Sequence, residues 1–481
     1  MIKACIFDLD GTLADTVESI AWSCNEALAV CGLGPLPVKD YQYYAGDGAK
    51  VLVERALKAA GDGQLEHFEK VYNVYSEFFR RDCTYKVSVF DGMMGALEAM
   101  KQRGIRLAVL SNKPHDRAVD VVNKLFGENY FDMVQGQTDN IPRKPSPIGA
   151  LKIAEKFGVR PDQCMYVGDT NTDMQTGNAA GMYTVGVLWG FRTREELEEN
   201  HAHDIAAHPA QLVSLLDRNI RLVVMDVDGT LIQAGVAELD PAYHTYISAL
   251  LDRGIAVAAA SGRQIQSLQH IFKENADRMY LIGENGGQMV YHGADVDFKA
   301  IDNETLIQLI KDIKKIGRCE ILISCPKVHY VEAKNMDLYH HLTEIVHNHV
   351  LTVRDFSEVA EPVCKVAFYR EGGVEDVVDY FKKQWGDKLH VAVSAADWLD
   401  FNRPDVNKGE AVKKVQDMLG ISEAQTIAFG DSDNDLEMLG CAKFSYAKAN
   451  ARPAVKAAAR FSTVSVLDQL KDVIEETGGL Q

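Results

Sequence analysis

A chain of 481 residues exceeds what one hydrophobic core ordinarily supports, so two or three domains are expected. Hydrophobic residues at 47% and charged residues at 25% are globular proportions, while a net charge of −18 works against nucleic acid or anionic membrane as a partner. Nine cysteines with no Cys-x-x-Cys pair read as reduced thiols. Met1 runs directly into an apolar stretch, Lys3-Ala4-Cys5-Ile6-Phe7, which leaves no room for a signal peptide, and no apolar run approaches the roughly 20 residues of a membrane span. A cytoplasmic protein of undetermined oligomeric state is expected.

In chain order, Ala4-Cys5-Ile6-Phe7 predicts a buried strand that ends on Asp8-Leu9-Asp10-Gly11-Thr12-Leu13, with Cys5 in the core. Asp15-Thr16-Val17-Glu18 has capping-box character with Asp15 as N-cap. Val17, Ile20, Ala21, Cys24, Ala27, Leu28 and Cys31 then keep helical spacing until Gly32. Gly46 and Gly48 either form an anion-binding turn or simply break two helices. Arg106 to Leu110 predicts a strand delivering Ser111-Asn112-Lys113, and Lys144 stands before Pro145-Ser146-Pro147. Met165-Tyr166-Val167 predicts a third strand, ending at Gly168-Asp169-Thr170-Asn171-Thr172-Asp173. His201, His203 and His208 read as surface or structural residues, and Glu195 to Glu199 as an exposed helix face. The amphipathic stretch Ala210 to Leu216 closes a first domain, with a boundary near 217–220.

The plan then repeats. Leu222-Val223-Val224-Met225 predicts a strand ending on Asp226-Val227-Asp228-Gly229-Thr230-Leu231, and Ile255 to Ala260 one ending on Ser261-Gly262-Arg263. Lys408 stands before Gly409, and Ile427-Ala428-Phe429 delivers Gly430-Asp431-Ser432-Asp433-Asn434-Asp435. Spacing locates the insertions. Asp8 and Ser111 lie 103 residues apart but Asp226 and Ser261 only 35; Ser111 and Lys144 lie 33 apart but Ser261 and Lys408 147. The first domain, 1–217, therefore carries its insertion after the first strand, a helical cap at about 15–85. The second, 218–481, carries its insertion after the second motif, a cap at about 286–400 that mixes a helix at 304–315 with strands at 320–323 and 363–369. His340, His341, His347 and His349 fall in that cap and read as a solvated face. Strands alternating with helices predict parallel, doubly wound sheets, in which residues just past the strand ends converge on one crevice.

The residue types at those ends suit phosphoryl transfer. Asp8 and Asp226 are carboxylates able to attack phosphorus once charge repulsion is relieved, which magnesium held by hard oxygen ligands does. Asp10 and Asp228 can offer a backbone carbonyl to the metal and a side chain as general acid and then base. Asp169 and Asp431 complete the metal ligands, with Asp173, Asn434 and Asp435 as outer support. Thr12, Ser111 and Asn112, and in the second half Thr230, Ser261 and Gly262, can bind phosphoryl oxygens, and Lys144 and Lys408 can balance transition-state charge.

On these motifs both halves resemble haloacid dehalogenase superfamily phosphatases, over nearly the whole chain. Asp10 and Asp228 set them apart from true dehalogenases, which lack that second acid. Residues Ala45 to Leu57 make the first half similar to phosphoglycolate phosphatases with a helical cap. Gly283-Glu284-Asn285-Gly286 and Gly430 to Leu439 make the second similar to Cof-like sugar-phosphate phosphatases with an α/β cap. The resemblance implies two tandem Rossmann-like α/β domains, Mg²⁺ as cofactor, and small phosphorylated metabolites as partners, with no nucleic acid and no membrane. A phosphomutase, or one half that only binds phosphometabolites, is the alternative.

Overall fold

The computed structural model describes residues 2–233, 238–332, 336–345 and 348–478; His347 lies outside them. Contacts within the chain divide it into two compact units, Met1–Asp217 and Arg218–Gln481. Among the described residues no helix is long and apolar enough to cross a membrane. All nine cysteines are free.

The first unit is built on β1 (Ala4–Phe7), β2 (Arg106–Pro114), β3 (Met133–Gln137), β4 (Cys164–Gly168), β5 (Tyr183–Val187) and β6 (Asp204–Ala206). They pair in the order β3-β2-β1-β4-β5-β6, every pair parallel. Every residue of β1 is buried, as expected of a strand covered by helices on both faces, and Ile6, Ala108, Leu110, Ile153 and Tyr166 share one core. Strand β1 is central, so its carboxyl end lies beside those of β2 and β4.

The cap of this unit contains α1 (Val17–Ala29), α2 (Ala49–Ala59) and α3 (Phe68–Asp82), and a short ladder of Ala14–Asp15 on Ser88–Val89 closes its neck. The expected capping box does not form. Thr16, not Asp15, is the N-cap and makes no side-chain cap bond, because its hydroxyl donates to Asp10 Oδ1 at 2.5 Å. Asp15 instead accepts from the Val17 amide at 3.2 Å.

In the second unit the core strands are β7 (Leu222–Asp226), β8 (Ala256–Ala260), β9 (Tyr280–Gly283), β10 (Gln288–Tyr291) and β11 (Ala294–Phe298). After the cap come β18 (Thr426–Gly430), β19 (Phe444–Lys448) and β20 (Phe461–Thr463). The order is β11-β10-β9-β8-β7-β18-β19-β20, parallel except for β10 and β11, which extend the edge as antiparallel strands. The expected cap range of 286–400 thus differs from the structure at its start, because the hairpin of β10 and β11 belongs to the core sheet. A two-residue connection lets those strands pair before the chain departs.

The cap proper has its own sheet, made of β12 (Glu320–Ser324), β13 (His329–Glu332), β14 (Val350–Val353), β15 (Lys365–Tyr369), β16 (His390–Ala395) and β17 (Trp398–Asn402). Its order is β14-β13-β12-β15-β17-β16. Helices Asn303–Ile316 and Glu375–Trp385 bury Leu309, Ile313 and Phe381 against Phe368 and Phe401 on one face of it. Their apolar residues recur at helical spacing with most charges on the opposite faces; Asp312 is buried and accepts from Trp385 Nε1 at 3.0 Å.

Candidate active sites

In the first unit β1 leads directly into Asp8, whose amide donates to the Val167 carbonyl at 2.9 Å and so continues the bonding of the sheet. Lys144 Nζ lies 2.7 Å from both Asp8 Oδ1 and Asp173 Oδ1, and all three side chains are buried. Carboxylate oxygens of Asp8, Asp169 and Asp173 lie within 4.8 Å of one another. Burial, opposed by Lys144 and reinforced by Asp173 and Asp169, pushes the Asp8 carboxyl well above the usual range. Burial and then Asp173 push Asp169 up to about 7. Lys144 is driven the other way from what burial favours, because Asp173 and Asp8 stabilise its charge.

The second unit repeats this arrangement. Lys408 Nζ lies 2.6 Å from Asp226 Oδ1 and 2.7 Å from Asp435 Oδ1. Asp226, Asp431 and Asp435 offer oxygens within 4.8 Å of one another. Burial and Asp435 raise the Asp226 carboxyl, with Lys408 opposing. Asp226 Oδ2 is buried and accepts no hydrogen bond. Among the described residues these two aspartate triads are the groupings with metal-ligand geometry, so the histidines form no such cluster. Three carboxylates clustered around one lysine, all buried but for the half-buried Asp431, offer hard oxygen ligands that suit a hard divalent cation.

The other expected residues have partners of their own. The Thr12 hydroxyl donates to Asp169 Oδ1 at 2.9 Å and that of Thr230 to Asp431 Oδ1 at 3.1 Å, so each is bonded to an acid of its triad. The Asn112 amide is committed to the Gly46 and Lys144 carbonyls, at 3.1 and 3.2 Å. Asp173 and Asp435 sit in the triads themselves, whereas Asn434 donates to Asn285 Oδ1 at 3.1 Å. Ser111 in β2 and Ser261 just past β8 are buried, and each accepts from the amide two residues on, at 3.2 and 3.1 Å. Gly262 approaches Asn285, whose Oδ1 would lie 3.2 Å from a Cβ there.

Two cations were not singled out from sequence. Lys113 Nζ lies 3.0 Å from Asp10 Oδ1 and over the Phe79 ring, and Arg263 Nη2 lies 2.6 Å from Asp228 Oδ1. Each follows the motif serine by two residues, and that repeated position was the available signal. A cavity above Asp8 and Asp10 is walled by Leu52, Tyr75 and Phe79 of the cap, and Gly46 and Gly48 also line it.

Comparison with known proteins agrees with this geometry. The family described as haloacid dehalogenase-like hydrolase matches residues 5–187, and a second family of that description matches residues 223–469. Phosphoglycolate phosphatase of Aquifex aeolicus is 30% identical over 220 residues, 46% of this chain and 99% of that protein. The Haemophilus influenzae phosphoglycolate phosphatase is 34% identical over 218 residues, 44% of this chain and 96% of the relative. A solved Plasmodium vivax structure described as HAD/COF-like covers 56% of this chain and 99% of its own, with a TM-score of 0.50 and 18% identity, a likeness of fold. With one family match on each half, the chain belongs to the haloacid dehalogenase-like hydrolases, as an enzyme carrying that domain twice.

Proposed function

We propose that each half is a magnesium-dependent phosphatase working through an aspartyl-phosphate. The first would act on phosphoglycolate or a similarly small ester, the second on a sugar phosphate. The observation that carries this reading is the same set found twice: a buried aspartate at the nucleophile position, a buried lysine within 2.7 Å of it, two further acids, and a second aspartate two residues on. Asp8, Asp169 and Asp173, or Asp226, Asp431 and Asp435, would hold the metal, which when bound neutralises charge between carboxylate and phosphate.

The chain's own residues then do the rest. An Asp8 oxygen attacks phosphorus, the bond to the leaving oxygen breaks, and Asp10 gives that oxygen a proton. Asp10 next takes a proton from water, which attacks the same phosphorus, releases phosphate and restores the Asp8 carboxylate. Lys144 stays beside Asp8 throughout and balances charge. Asp226, Asp228 and Lys408 repeat these roles. The preference for a small ester at the first site is supported by its apolar cap wall and by relatives whose matched length fits a single unit.

The test uses the full chain with Asp8→Asn or Asp226→Asn, assayed over one panel of phosphate esters. Each variant is expected to lose one set of activities by several orders of magnitude and to keep the other. Equal residual activity of both variants on every substrate would sink the two-site reading.

A further inference from the structure

In the second unit the cap reaches the catalytic loops through charges held out of water. After β9 the backbone passes through the left-handed region at both Glu284 and Asn285, with φ of 53° and 57°. Residues other than glycine keep that conformation in succession only where surrounding structure imposes it. It aims Glu284 at the cap. Its Oε1 lies 2.6 Å from His329 Nε2 and its Oε2 2.6 Å from Lys365 Nζ, with all three side chains buried. Burial disfavours the Glu284 carboxylate, but Lys365 and His329 outweigh it and hold the group at about 2. Lys365 Nζ continues to the Gly262 carbonyl at 2.9 Å, between Ser261 and Arg263. Asn285 runs in parallel: its Nδ2 donates to Asp400 Oδ2 of the cap at 2.9 Å, and its Oδ1 accepts from Asn434 in the loop of Asp431 and Asp435.

We infer that Lys365 and Asp400 are positioning residues of the second site, through which the docked cap sets the geometry of the Ser261–Arg263 loop and of the loop bearing Asp431. The inference rests on the phosphatase reading of that site. A cap that served only to exclude water would be held equally well by an apolar interface of the same volume, since buried ion pairs add little net stability. What such pairs impose is one register, because a shift of the cap leaves an uncompensated charge.

The test starts from the full chain with Asp8→Asn, which silences the first site. Lys365→Met keeps the stem and removes the charge. It is expected to lower kcat/KM about tenfold or more for every ester, whatever the leaving group, and to weaken orthovanadate binding in parallel. Lys365→Arg should restore part of both, and the near-isosteric Asp400→Asn should act in the same direction with a smaller effect. Amide hydrogen exchange reads the geometry without turnover: Ser261, Gly262 and Arg263 should exchange faster in Lys365→Met, and Ser111, Asn112 and Lys113 should not change. Unaltered exchange at 261–263 with unaltered vanadate affinity overturns the inference, even if the folded fraction falls. A parent chain that neither turns over esters nor binds vanadate counts against the phosphatase reading instead, and the exchange result then decides the positioning role alone.

Discussion

Lys144 and Lys408 each stand between two buried carboxylates, so their removal is costly in a way that loss of a surface lysine is not. Lys144→Met should destabilise the first unit by about 3–5 kcal/mol in metal-free buffer, read as a shift of its urea transition. Charge in the triad also sets a pH dependence. An unfolded Asp169 loses its proton near its ordinary value of 3.8, whereas the folded group keeps it to about 7. Between those values the unfolded state binds fewer protons, so stability of the metal-free protein falls as pH rises from about 4 to 7. Magnesium favours the ionised triad, and the rise in Tm on adding it should be larger at pH 8 than at pH 5; an equal rise at both would contradict the assignment. The motif acids were legible in the sequence because each sits within a few residues of its strand end, and Lys144 and Lys408 because the same order of elements recurs in both halves. The acceptors that Thr12, Asn112 and Asn434 satisfy, and the acids that Lys113 and Arg263 meet, were not, since those partners are brought close only by tertiary closure.

Turns and helices carry their own constraints. Gly11 and Gly229 follow the second aspartate with φ of 84° and 87°, and a Cβ on either would stand 2.2 Å from a carboxylate oxygen of the triad, Asp169 Oδ2 or Asp431 Oδ2. Gly11→Ala should therefore cost at least about 1–2 kcal/mol from the backbone alone and displace Asp169 as well. The expected outcome is loss of the first activity with the second unchanged, measured on the full chain. Helix α2 places Leu52 on the wall of the first cavity. Leu52→Ala opens that wall, and the kcat/KM ratio of a bulkier ester to phosphoglycolate should rise by about tenfold. An unchanged ratio would mean that the cap wall does not select the leaving group. The existence of both caps could be read from motif spacing, but the start of the second could not. A spacing argument counts residues between motifs and has no means of assigning the hairpin at 288–298 to the core sheet.

At the scale of the whole chain, the two compact units meet in sequence at Asp217 and Arg218, and each contains a complete set of motif residues. Fragments 1–217 and 218–481 are expected to fold separately and to keep the specificity constants of the full chain within about twofold. Matching rank orders of substrates for the two fragments would show that the caps do not impose separate specificities. The different insertion points also bear on the order in which a ribosome releases the parts. Strand β1 pairs only with β2 and β4, so the first sheet cannot begin until its entire cap has emerged. Strand β7 finds β8 almost at once, and that half of the second sheet should gain amide protection early in refolding, because its loop is short. The other neighbour of β7 is β18, which is made only after the cap, and Asp431 and Asp435 follow it. A second half cut short before β18 therefore carries Asp226 without Asp431 and Asp435, so premature termination there leaves the first unit as the one with a complete aspartate triad.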